Sequence, residues 1–379
     1  YIALLKLPFE NREPLPGETA YVVVIDLETG CEKIVDETAG WEFQMGANIN
    51  WGKNDDILLF SDVKISDWTP HCVKLNWKTG ERKTFGRGIY HVSPDGTKVL
   101  CTNPAAMRRT QGGYGVIVPD ECVDRNIGLR DDDGLYLADT ETGECRLLIS
   151  VKEAVERTVP KSDLAQYNDY ENYFFHSKWS PTGDRLLFSL RRFPVSNPYR
   201  FQVLHHKNAM KYDVFTIKPD GSELYNAVNA DYWDRGGHHI NWFPDGSKLS
   251  MNLGFKCDDI MRFTQVNYDG TDIKMIMEEP IGSGHPSFNR EMTWLVTDTY
   301  CFEPLAFGDG TTPIRLIDLH NNREQCLCRI CTATPWQDDA PPLRVDPHPV
   351  WNRDFKSVIF NGFADGTRKV YIADMSELL

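Results

Sequence analysis

Two short phrases alternate along the whole chain. The first is an apolar run that ends in a polar turn and resumes as a second strand. It recurs as YVVVIDLETGCEKIV (21–35), VKLNWKTGERKTF (73–85), LYLADTETGECRLL (135–148), VFTIKPDGSELYNAV (214–228), FTQVNYDGTDIKMI (263–276), IRLIDLHNNREQCL (314–327) and VYIADMSEL (370–378). Its T-G, D-G and N-N centres are hairpin turn chemistry, where glycine or asparagine accepts positive φ. The second phrase precedes every copy of the first but one. It reads NINWGKNDDILLFSD (48–62), IYHVSPDGTKVLCT (89–102), HSKWSPTGDRLLFSL (176–190), HHINWFPDGSKLSMN (238–252), HPSFNREMTWLVTDT (285–299) and HPVWNRDFKSVIFNG (348–362). Each is a short strand, a polar turn and a longer strand. Together the phrases make four antiparallel strands in roughly 50 residues, the period of a β-propeller blade.

Seven outer phrases predict an all-β, seven-bladed β-propeller of four-stranded antiparallel blades, with residues 1–379 as one domain. The first blade is incomplete, because residues 1–8 supply only its second strand. Residues upstream, or the other end of the chain, are expected to complete it, since an open sheet edge is a liability. Only 151–170 reads as a short helix, broken by Pro160. The inserts 103–133, 151–175 and 191–211 exceed ordinary loop length and are expected to form rims at the channel mouth.

Composition narrows the function classes. A net charge of −14 disfavours nonspecific nucleic-acid binding, which needs a basic surface. No apolar run is long enough for a membrane helix. The ten cysteines are scattered, except Cys326, Cys328 and Cys331, whose spacing lacks the second half of a zinc motif. They read as buried strand cysteines. With no signal-peptide pattern visible, the expectation is a reducing, cytoplasmic setting.

The inner phrases align on Trp179, Trp242, Phe288 and Trp351. Three positions earlier in each stands a histidine: His176, His239, His285 and His348. The first strand of a propeller blade lines the channel, so equivalent positions on successive blades form an arc. Blades two and three have Asn48 and Ile89 there. Structural reuse of one repeat position could produce such a series, and so could a shared site. Convergent imidazoles suit Mn, Fe, Co, Ni or Zn. Asp346, two residues before His348, is on the same strand face and could add a carboxylate. His238 should then point away. The inserts supply cations: Arg108, Arg109, Arg191, Arg192, Arg200, Lys207 and Lys211. Arginine on a rim suits an acidic ligand, which it can grip bidentately. Gln44 and Tyr114 complete the candidate substrate contacts, with His176, Arg109 and Arg200.

The closing segment VDPHPVWNRDFKSVIFNGFADGTRKVYIADM, with HHINWFPDGS and SGHPSFNREMTWLVTD, resembles the blades of oligogalacturonate lyases. That resemblance implies a metal-dependent seven-bladed propeller with a manganese-type ion on His285 and His348. Asp346 stands where the family has a further histidine ligand, and Leu343 where it has a glutamine. His239 matches the family's base. The arginine of blade four is replaced by Asp213, with Lys211 nearby, so Arg192 and Lys211 become the candidates for stabilising charge. The implied activity is β-elimination on a small uronic-acid-containing oligosaccharide. A non-catalytic propeller that binds a ligand or protein, and a glycoside-processing enzyme using the same metal differently, stay open beside it.

Overall fold

The computed structural model describes residues 1–196, 210–256, 258–336 and 343–377. Their strands form seven antiparallel sheets, each a simple meander in chain order. The fold class is the expected all-β, seven-bladed propeller. Blades two to six have four strands, while blades one and seven have three among the described residues. The chain divides into two compact units, Tyr1–Asn226 and Ala227–Leu379. Blades one to four fall in the first and five to seven in the second, the boundary lying within the strand Tyr225–Val228.

Strand periodicity explains the apolar runs. Successive side chains point to opposite sheet faces, and both faces of a middle strand are covered. In Ile57–Lys64, Leu58 and Phe60 join Val22, Val24 and Trp41 in one cluster. Leu59 between them joins Val99, Cys101 and Tyr136 in the next. The second unit repeats the pattern. Leu295 packs with Phe263, Phe288 and Ile317, while Val296 packs with Leu316, Trp351 and Val358.

Three expectations change. The helix ends earlier than read: it spans Val151–Arg157, started by a capping box between Ser150 and Glu153. The inserts are partly strand. Tyr170–Trp179 pairs with Leu186–Pro194 from Tyr170↔Pro194 onward, so blade four extends its ladder into both flanking inserts. In 103–133, Val116, Ile117 and Val118 are buried, and Val116 and Val118 pack with Ala39, Val63 and Ala105, so this segment adds core. The cysteine cluster lies on Arg323–Cys331, the outer strand of blade six, where Cys326 is exposed. An outer strand has a solvent face, which the buried reading did not allow for.

Candidate metal centre

The shared histidine position has an unusual backbone. His176, His239 and His348 adopt left-handed φ of 49°, 60° and 46°, and Asn48 in blade two has 49°. The ladders of blades four and five shift register around this position, as a β-bulge does. Histidine and asparagine are among the residues that tolerate this conformation best. Part of the sequence repetition is therefore conformational. Blade six differs: Gly284 carries the positive φ, at 62°. A Cβ on Gly284 would lie 2.2 Å from both the backbone and a side-chain oxygen of Asp298. Glycine is what lets that carboxylate close in.

Asp298 organises His285 and His348. It accepts from the His285 backbone N–H at 2.6 Å and from the His348 backbone N–H at 3.1 Å. His285 Nδ1 lies 2.9 Å from both of its oxygens. His348 Nδ1 lies 3.2 Å from the Asp346 backbone oxygen. Both acceptors call for the tautomer with the proton on Nδ1, which leaves Nε2 as the ligand atom. The His285 ring lies between the others, with centroids 3.6 Å from His348 and 3.8 Å from His239. One donor atom each from His285, Asp346 and His348 lie within 4.8 Å of one another. Two oriented imidazoles and a carboxylate fit a divalent transition metal. Arg344 Nε holds one Asp346 oxygen at 2.8 Å. Leu343 is fully buried and apolar, so it offers no ligand in glutamine's place.

Electrostatics favour the ligand forms. Burial, followed by the charge of His285, pushes His348 down to about 4. The imidazole is then neutral at neutral pH, as a metal ligand must be. Burial alone would raise Asp298, but His285 and the hydrogen bonds it accepts outweigh that and hold it below the usual range.

His239 joins this group through Tyr300, whose hydroxyl is 2.6 Å from His239 Nε2. Tyr300 stacks on Phe302 at 5.3 Å, and Phe302 is 74% exposed. His238 does not turn away as alternation predicts. Its ring lies 4.5 Å from that of His239, and Nδ1 meets Asn252 Nδ2 at 3.2 Å. The bulge at His239 breaks the strict in–out alternation and brings both rings together.

Asp298 and Tyr300 were missed in the sequence, yet Asp298 left a signal there. Take the residue two after each register position, find its ladder partner, and move two further along. The positions are Ser61, Thr102, Ser189, Asn252, Asp298 and Asn361. All are polar in apolar strands, and only blade six has a carboxylate. Tyr300 left no comparable pattern.

The other candidates lie in the first unit. His176 Nδ1 meets the Tyr90 hydroxyl at 3.1 Å, and its ring packs on Phe175. Arg109 is buried against Glu171 at 2.8 Å. Arg192 is buried, pairs with Asp213 at 3.5 Å and donates to the Gln166 carbonyl. Asp213 thus serves as a counter-ion for Arg192 and accepts from Tyr167 and Asn226. Lys211 opens the strand Lys211–Ile217, directly across from Arg192. Tyr114 is buried with its ring against Phe175. The Gln44 backbone N–H donates to Glu42. Arg200 and Lys207 lie outside the described residues.

No protein-family model matches the chain, and no curated protein matches it in sequence. Solved structures do match in fold. Oligogalacturonate lyase from Vibrio parahaemolyticus superposes with a TM-score of 0.60 at 14% identity, covering 99% of this chain and 92% of that one. The β-propeller domain of the Trilobed protease from Pyrococcus furiosus gives 0.53 at 11%, over 99% and 96%. A prolyl endopeptidase gives 0.54 at 12%, over 95% of this chain and 45% of its own. At such identities the likeness establishes the propeller fold and nothing finer.

Proposed function

We propose that the second unit carries the centre of a metal-dependent lyase acting on uronic-acid-containing oligosaccharides by β-elimination. The observation that carries this reading is the fixed orientation of His285 and His348 beside the Asp346 carboxylate. These three residues would hold the ion, manganese being the expectation. When bound, the ion would draw on the substrate carboxylate and acidify the proton on the adjacent carbon. His239 and Tyr300, sharing a 2.6 Å contact, form a pair able to take that proton and pass it on. The C–H electron pair becomes the new C=C bond. The glycosidic C–O bond breaks with its pair on oxygen, and that oxygen takes a proton. The exposed Phe302 ring, stacked on Tyr300, offers an apolar face of the kind a sugar ring covers. An oligogalacturonate lyase shares the fold, and this supports the reading without carrying it.

The test is a panel of uronic oligosaccharides with and without added manganese, followed by the ultraviolet absorbance of the unsaturated product. A manganese-dependent rise is expected, abolished by His285→Ala or His348→Ala. His239→Ala should slow it about 10²–10⁴-fold. No rise on any acidic oligosaccharide would overturn the lyase reading. The alternative that uses the same metal is another reaction on glycosides. That reaction would release new reducing ends without the absorbance.

A further inference from the structure

We infer that Arg191, in the first unit, is the anchor of a binding site for a carboxylate ligand. Six arginines are buried among the described residues: Arg109, Arg185, Arg191, Arg192, Arg262 and Arg315. Five of them have a carboxylate partner, respectively Glu171, Glu223, Asp213, Asp258 and Glu324. Arg191 has none within ion-pair distance among the described residues. Only 6% of it is exposed. A guanidinium keeps its charge under all ordinary conditions, so it cannot escape burial by losing a proton. An unpaired buried charge is among the most unfavourable arrangements in a protein.

The partners Arg191 does have leave one edge of the fork without hydrogen bonds. Nη1 donates to Gln111 Oε1 at 3.2 Å and to Thr110 Oγ1 at 3.4 Å, both neutral. Nε is buried with no acceptor, and Nη2 makes no hydrogen bond to the described residues. These two groups form the side-on edge that grips a carboxylate with two parallel hydrogen bonds. The guanidinium lies 3.6 Å from the Phe175 ring centroid, with Tyr212 at 5.5 Å and Tyr114 at 5.7 Å. Aromatic faces hold the plane in position and offset part of its charge. They cannot supply acceptors to Nε–H and Nη2. A carboxylate with an apolar or sugar body fits both requirements. This inference is independent of the metal centre and its proposed chemistry.

Thermal unfolding of the full chain tests it, in chloride buffers of matched ionic strength with acetate, D-glucuronate, D-glucose or inorganic phosphate. The two carboxylates should raise the midpoint saturably, and glucose should not. In Arg191→Met the half-saturating concentration should rise by about tenfold or more. Arg191→Lys keeps the charge but loses the fork, and should weaken the response while retaining some of it. Without ligand, Arg191→Met should melt at or above the wild type. Arg192→Met should melt lower, because the buried Asp213 carboxylate loses the positive charge of Arg192. No response to either carboxylate, an equal response to phosphate, or an undiminished response in both Arg191 variants would overturn the site. So would an unliganded loss in Arg191→Met as large as in Arg192→Met, which would mean that the rings already satisfy the guanidinium.

Discussion

Asp298 uses its two oxygens on two backbone N–H groups and an imidazole, all from residues that define the candidate centre. A residue placed this way would act through the proposed ligands and touch no metal itself. Removing it should leave ligand identity intact while loosening ligand orientation. Asp298→Ala should weaken manganese binding, measured by titration calorimetry, by about 10–100-fold. Asp298→Asn should recover part of the loss, since its oxygen still accepts. Gly284→Ala should mimic Asp298→Ala, because its Cβ would meet the carboxylate at 2.2 Å and its φ of 62° is costly for alanine. Unchanged binding in all three would remove Asp298 from the site. The contrast with the histidines explains what a single chain can disclose. His239, His285 and His348 repeat at one register and can be read by aligning blades. The register position of Asp298 recurs in blades two to seven, but its role depends on a carboxylate reaching across the chain to Gly284. No spacing rule encodes that approach.

At the scale of the element, the inner strand of each blade is where sequence pattern and structure part company. Strands, turns and blade order were legible because apolar alternation and D-G or T-G turns report directly on backbone geometry. The bulge was not. It lies within a few residues that otherwise alternate, and it reverses the expected direction of a neighbour such as His238. The aromatic-rich ends of blade four's strands were likewise read as insert rather than ladder. Asn48 isolates the conformational demand, since it holds φ of 49° with no imidazole in play. Asn48→Val should cost about 1–3 kcal/mol in denaturant unfolding, because a β-branched side chain clashes in the left-handed region. Asn48→Gly should stay within about 0.5 kcal/mol of the wild type. Equal losses in both would point to the asparagine side chain rather than the backbone.

For the whole molecule, the acid limb of stability separates two populations of titrating groups. Carboxylates with depressed values, including Asp298, Glu171 and Glu18, contribute stability above their ordinary range near 4 and lose it only below that range. Two histidines behave otherwise. Burial pushes His91 and His348 down to about 4 from the usual 6.5. The unfolded chain then binds protons that the folded chain refuses. Their contribution is complete above pH 6.5 and is lost as pH falls toward 4. The window between pH 6.5 and about 4.5 therefore belongs to histidine. His91 Nδ1 accepts the Trp179 backbone N–H at 3.1 Å, and a protonated ring could not. His91→Asn keeps an acceptor without the titration. Its unfolding midpoint, measured by circular dichroism from pH 8 to pH 4.5, should fall less steeply than that of the wild type across this window. The two should converge in slope above pH 7. Identical slopes throughout would mean that His91 titrates at its ordinary value in the folded chain, and that the acid limb is set elsewhere.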